Sequence, residues 1–361
     1  MIQPGLFGIK HSNGNLSSEK AWGKNMFNAT FPAALSAYLF SLNKPLVYLK
    51  LSKESTIERS IIDTATLFGA NPLAEELHYY FEHPYKPYAQ YVTSGKKPPV
   101  ADLMLTKDGK ENVLNGFEIK LTVLPDEATL KAHPNQPEKW GCELVIRMPS
   151  IIFLACSICD LYQGKQEELK KILGANSFGS AAQYQTNTQA NQLLPTVARK
   201  LHEIFALNLS SQKPALIQAV WKTAGKKAAL ADNCLDVFIW SELAFTKLFL
   251  KSSYTIPADL TKKIDRPSRA VMHLFFMIHD YAHKGSFNPT EIIDALNYGT
   301  KTDKAFSISG RQTNSIMQCP ELLSPRVTKS EIKQIILGGG ERFLSPERRF
   351  DAALVNSPGL F

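Results

Sequence analysis

The sequence predicts a mixed α/β fold, and three observations carry that expectation. Hydrophobic residues make up 44% of the 361 positions and charged residues 20%, the balance of a chain with a sizeable core. Segments with strand and helix patterning alternate between residues 55 and 245 in the order helix, three strands, helix, strand. One of them, Phe117 to Val123, alternates strictly, with Phe117, Ile119, Leu121 and Val123 on one face and Glu118, Lys120 and Thr122 on the other.

Each element has a local reason. After a short apolar segment from Pro45 to Leu51, Ser55 with Glu58 three residues on has the form of a capping box, opening a helix towards Phe68-Gly69. A second helical stretch is expected from Leu73 to Phe81, ahead of a proline- and tyrosine-rich connection, His83 to Tyr91. Val100 to Leu105 is the first strand, and Lys107-Asp108-Gly109-Lys110 has turn chemistry. Gly116 to Leu124 is the second strand and Cys142 to Arg147 the third. Pro149 opens a helix from about Ser150 to Leu173, closed by Gly174. Leu235 to Trp240 reads as a fourth strand. Beyond it, Arg269 to His283 and Pro289 to Leu296 are helical candidates, and Thr300 to Asn314 is polar and basic.

No repeat or low-complexity linker divides the chain, and no apolar run approaches the roughly 20 residues of a membrane span. The first residues lack a basic stretch followed by an apolar core, and five cysteines form no dense framework, so a reduced, cytoplasmic protein is expected. Lysine and arginine number 41 against 33 acids, a net charge of +8. Ten basic and five acidic residues fall between Lys213 and Arg269. The excess favours a polyanionic partner held by a folded surface.

The chemistry concentrates on two strands. Glu118 and Lys120 project from one face, and one strand earlier Asp102 interrupts an apolar run. Two hard carboxylates suit Mg²⁺, which keeps waters and takes further oxygens from a phosphodiester, while a lysine can orient the attacking water. The same pattern also fits the solvated face of a half-buried strand. Geometry separates the two readings. A tight two-residue turn at Asp108-Gly109 would set Asp102 opposite Asn115 and turn Glu118 to the other face. A shared site therefore requires an odd turn or an odd number of bulged residues, and Asn115-Gly116 is the expected bulge.

The trio Asp102, Glu118 and Lys120 in this setting resembles the PD-(D/E)XK nuclease superfamily. More closely, the chain resembles type II restriction endonucleases of the HindVP-like family. That likeness rests on Gly5-Leu6-Phe7-Gly8-Ile9, on Trp22-Gly23-Lys24-Asn25 with Phe27-Asn28 and Phe31-Pro32, and on Ala101-Asp102-Leu103 with Gly116 to Thr122. Ala101 stands where the superfamily's name implies proline. The resemblance implies a PD-(D/E)XK core with a central mixed sheet flanked by helices, at about 50–250 of a single nuclease chain, with N- and C-terminal elaborations. A mostly helical C-terminal elaboration for DNA binding and dimerisation would follow at about 251–361. It implies a homodimer that cuts both strands of a short palindromic DNA site with Mg²⁺, leaving 5′-phosphate and 3′-hydroxyl ends. A DNA methyltransferase would be its functional partner. Asp102 and Glu118 would ligate the metal with the Ile119 carbonyl, Lys120 would activate water, and Glu58, Glu75 or Glu76 could supply a further acid. A repair or recombination nuclease with the same site, and a non-catalytic DNA-binding protein, are the competing readings.

Other signals are weaker. Lys226, Lys227, Lys262 and Lys263 are candidates for phosphate contact, and Lys304, Arg311, Gln312 and Asn314 for phosphate or base contact. The amide-rich tract Gln183 to Gln192 suits either adenine readout or an ordinary solvated surface. Cys156-X-X-Cys159 and His279-X3-His283 have metal-ligand spacing, but their settings favour burial and helix packing.

Overall fold

A computed structural model describes residues 11–12, 33, 36–37, 39–51, 57–93, 98–109, 112–124, 144–209, 214–224, 227–230, 233–234, 238–241, 257–300, 304–308 and 327–328. Its centre is a nine-stranded mixed sheet. The strands are β1 (His11–Ser12), β2 (Leu46–Leu51), β3 (Ile57–Ile62), β4 (Leu77–Pro84), β5 (Val100–Lys107), β6 (Asn112–Leu124), β8 (Pro214–Ala224), β9 (Lys227–Leu230) and β11 (Phe238–Ser241). They run in the order β1-β4-β5-β6-β8-β11-β2-β3, with β9 paired to β8. β4, β5 and β6 are mutually antiparallel, and β6 pairs parallel to β8. A second, two-stranded ribbon joins β7 (Leu144–Arg147) to β12 (Lys304–Ile308), and a third joins β10 (Asn233–Cys234) to β13 (Val327–Thr328).

The mixed α/β class holds, with several elements reassigned. The helix expected from Ser55 is strand β3 over Ile57–Ile62, because that segment pairs along its whole length with β2. Only α1 (Thr64–Phe68) remains helical there, capped by the Asp63 carboxylate on Thr66 N and closed by Gly69 at φ 74°. The helix expected at Leu73–Phe81 is β4, whose Leu77, Tyr79, Tyr80 and Phe81 are all buried. Both strands are rich in β-branched or aromatic residues, and partners distant in sequence decide them. The third strand, β7, leaves the sheet to pair with β12, and β6 instead borders β8.

The longer helices occupy the crossover from β6 to β8 and the region C-terminal to β11. The single helix expected from Ser150 to Leu173 is broken at Gly164 (φ 74°) into α2 (Met148–Leu161) and α3 (Gln166–Leu173), with Gly174 as the left-handed cap at φ 63°. α4 (Asn187–Leu207) takes up most of the amide-rich tract. Thr186 and Gln189 form its capping box, Asn187 accepts from Ile264 N, and the buried Asn191 donates to the carbonyls of Leu260 and Lys262. The amides at 186–191 thus serve as a cap and a loop clamp. α5 (Arg266–Lys284) and α6 (Pro289–Ala295) match the expected C-terminal helices.

One hydrophobic cluster joins α2, α3, α4 and α5 to Tyr80 and Met104 of the sheet. Cys156 and Cys159 lie wholly inside it as free thiols, and burial pushes the Cys159 thiol up. His279 is buried among Phe178, Phe275 and Phe276 and bonds Ala175 O at 3.2 Å. Cys156, Cys159 and His279 are core packing, and His283 is exposed at the end of α5. Among the described residues no three potential ligands gather around a metal position, and no helix is long and apolar enough to cross a membrane.

The core also carries a pH dependence. His273 on α5 is 1% exposed, with Nε2 donating to Leu296 O at 3.0 Å. Desolvation, helped by Arg269, lowers its pKa to about 4. Above pH 6.5 the ring is neutral in both states. As pH falls from 6.5 to about 4, the unfolded chain binds a proton that the native ring refuses, so the fold loses up to about 3 kcal/mol. Urea unfolding at pH 7 and pH 4.5 should show this loss in the wild type and a smaller one in His273→Gln.

Candidate active site

The hairpin β5–β6 meets the parity condition set by its sequence. Its innermost pair, Lys107↔Asn112, leaves four residues in the connection, so the turn is longer than the two-residue form, with Asp108 at φ 53° and Gly109 at φ 108°. Between Thr106↔Val113 and Leu105↔Asn115 the ladder skips Leu114. That residue is the bulge, one position before the expected Asn115-Gly116. The next pairs are Met104↔Gly116 and Leu103↔Phe117, and the same register continued by one residue sets Asp102 opposite Glu118. Directly opposed residues on an antiparallel pair share a face with Cβ atoms about 5 Å apart.

This face lies under α2. Gly116 is required here, because a Cβ at that position would stand 2.5 Å from Tyr85 Cε2, and the Tyr85 ring packs against Tyr88 and Phe153. Phe117 points the other way, against Phe68 of α1. Glu118 is therefore directed at the helical layer and is 5% exposed. The Ser150 hydroxyl, in the first turn of α2, donates to Glu118 Oε1 at 2.6 Å. Asp102 is half-buried. Ile119 and Lys120 continue β6, paired with Leu216 and Ile217 of β8, so the Glu-X-Lys segment runs down the middle of the sheet.

The acids weighed as an addition stand elsewhere. Glu58 lies on β3 at the far edge of the sheet. Glu75 and Glu76 precede β4, and the Glu76 carbonyl accepts from Asp108 N at the turn end of the hairpin. A different acid, Glu82, falls at the position of β4 between the partners of Leu103 and Ala101, with its backbone in the left-handed region at φ 48°. Partial burial and the Glu118 carboxylate both raise its pKa. Ser150 and Glu82 are not found by sequence reasoning. Glu82 carries the same signal as Asp102, one acid closing an apolar run, but its segment reads as helix.

The candidate DNA contacts are scattered. Lys262 and Lys263 are exposed on the loop before α5, which Asn191 holds. Lys227 opens β9, and Lys304 opens β12 opposite Arg147. Lys226, Arg311, Gln312 and Asn314, like most of the N-terminal blocks from Gly5 to Pro32 that carry the resemblance, lie outside the described residues.

The chain belongs to the HindVP restriction endonuclease family, whose model matches residues 22–361. It is thereby an enzyme of the restriction endonuclease class, a site-specific deoxyribonuclease. It is 39% identical over 359 residues to the type II restriction enzyme HgiDI of Herpetosiphon aurantiacus, covering 99% of this chain and 97% of that one. It is 37% identical over 360 residues to the probable type II restriction enzyme HindVP of Haemophilus influenzae, covering 100% and 96%. No solved structure gives a significant match.

Proposed function

We propose that the protein is a Mg²⁺-dependent type II restriction endonuclease that cuts both strands of double-stranded DNA at a short palindromic site as a homodimer. The ends are 5′-phosphate and 3′-hydroxyl, and a methyltransferase of the same restriction–modification pair protects the host site. The observation that supports the reading is the β5–β6 register, which continued by one residue from Leu103↔Phe117 sets Asp102 opposite Glu118, the residue bonded by Ser150 of α2. β4, β5, β6 and β8 with α2 would form the PD-(D/E)XK core.

The donor set fits the ion. Asp102 and Glu118 offer two hard carboxylates from adjacent strands, and the Ile119 carbonyl offers a third oxygen. Two or three protein oxygens suit Mg²⁺, which keeps several waters. When bound, it stabilises charge developing on the phosphodiester and lowers the pKa of a coordinated water. Lys120 orients the attacking water and complements the charge that builds on the phosphate. Ser150 holds the Glu118 carboxylate at a fixed angle, which limits its motion before DNA arrives.

Unmethylated phage DNA incubated with the protein in Mg²⁺ and in EDTA tests the proposal. Discrete fragments in Mg²⁺ alone are expected, and their ends give the site. A smear or structure-specific nicking would favour a repair-type nuclease. Intact DNA from folded protein on several DNAs would favour a binding module.

A further inference from the structure

Strand β4 changes face where it passes the acids. Regular strand geometry puts residues three apart on opposite faces. Yet the rings of Tyr80 and His83 stand 5.1 Å apart, tilted at 55°. Between them the Glu82 backbone lies in the left-handed region at φ 48°. No residue is inserted there, because Tyr80↔Met104 and His83↔Ala101 keep one register. The alternation is therefore reversed at Glu82, and His83 falls on the face of Tyr80.

That face is the one that carries Glu118. Tyr80 and Met104 belong to the cluster under the helices, and Met104 pairs with Gly116, two residues before Glu118. Along β5, Asp102 falls between the partners of Tyr80 and His83. Neighbouring strands stand about 4.8 Å apart, so the half-buried His83 borders the Asp102 position. Its tautomer is fixed locally. A carbonyl only accepts, so Nδ1 donates to Pro84 O at 3.1 Å and carries the proton of the neutral ring. Nε2 then holds the lone pair, and among the described residues it bonds to nothing. No three potential ligands gather among those residues, so His83 borders the ion position without being one of its ligands.

We propose that His83 is a further catalytic residue of this nuclease, with Nε2 accepting the proton of the attacking water. The proposal rests on the nuclease reading for the position of the phosphodiester. A lysine ammonium carries only donors, so Lys120 can orient that water but cannot take its proton. In the step, the water oxygen bonds to phosphorus while the bond from phosphorus to the 3′ oxygen breaks. The electron pair leaves with the 3′ oxygen, which gains a proton from solvent. Nε2 takes the proton of the water and later returns it to solvent.

The test compares the full chain with His83→Ala and His83→Gln. Single-turnover cutting of phage DNA in Mg²⁺ should fall about a hundredfold or more in both, the range that proton transfer by a side chain contributes. Duplex binding in EDTA and the melting temperature should stay near wild type, and His83→Gln, which keeps the volume, carries the comparison if the alanine variant melts early. Free imidazole should restore about tenfold of the rate to His83→Ala and none to His83→Gln, a response that a structural role does not give. A second readout fixes the location. In protein with isotope-labelled histidine, the ring signal that His83→Gln loses should broaden with Mn²⁺ in wild type and stay sharp in Asp102→Asn. Wild-type rates in both variants, a loss that imidazole does not relieve, or a ring signal that Mn²⁺ leaves sharp would each overturn the role of His83 while the nuclease reading stands. Wild type that leaves every DNA intact in Mg²⁺ would remove the nuclease reading and this role with it.

Discussion

Lys120→Ala loses DNA cutting by about a thousandfold or more, while duplex binding and thermal stability stay near wild type. The size follows from the role. Removing one group that orients the attacking water and complements developing charge costs several kcal/mol of transition-state stabilisation, and little of it is present in the bound ground state. The position explains the specificity of the loss. Lys120 pairs through its backbone with Ile217 in mid-sheet, and alanine keeps every ladder hydrogen bond. Single-turnover cleavage of phage DNA, run beside a gel-shift titration, separates chemistry from binding. Normal turnover in the variant would remove Lys120 from the mechanism.

Asp102→Asn weakens divalent-ion binding by about a hundredfold and cutting with it. Mutating a group that merely supports a metal ligand costs ten- to a hundredfold in affinity, and loss of a direct carboxylate should reach the upper end. The amide keeps the size and hydrogen-bonding capacity of the acid but removes the charge that a hard cation selects. Calorimetry with Ca²⁺ in the presence of phage DNA fragments reads the affinity without turnover. Wild-type Ca²⁺ binding in the variant would place the ion away from Asp102.

Much of this region is legible in the sequence because its signals are local. The alternation from Phe117 to Val123, the lone Asp102 and the turn at Asp108-Gly109 each depend on neighbours a few residues away. Parity tells which hairpins can unite Asp102 with Glu118, and the structure realises one of them through Leu114. The expected order of helix, three strands, helix and strand is replaced by strand β3, the short α1, four strands β4 to β7, the helices α2 to α4 and then strands β8 to β11. The three antiparallel strands are β4, β5 and β6, whereas the local pattern reads Leu77–Phe81 as helix and Cys142–Arg147 as the third strand. Short apolar runs fit either period, so partners decide: β1 and β5 for β4, and β12, more than 150 residues on, for β7. β8 escapes sequence reasoning because its pairing with β6 is made across the whole helical crossover. Ser150 and Glu82 are equally hidden, since each meets the acids only through the docking of another element. The cysteine and histidine pairs show the converse. Their spacing is metal-like, and the aromatic and aliphatic surroundings of α2 and α5 resolve Cys156, Cys159 and His279 as packing.

The bulge at Leu114 has a consequence for how such a chain can change over time. A single-residue insertion or deletion between Thr106 and Asn115 exchanges the faces of Asp102 and Glu118 relative to one another, while paired changes restore them. This hairpin can therefore drift in length only by even steps, or by odd steps compensated within the same few residues. Elsewhere in the protein a loop can grow one residue at a time. Here the inheritance of function is quantised in twos.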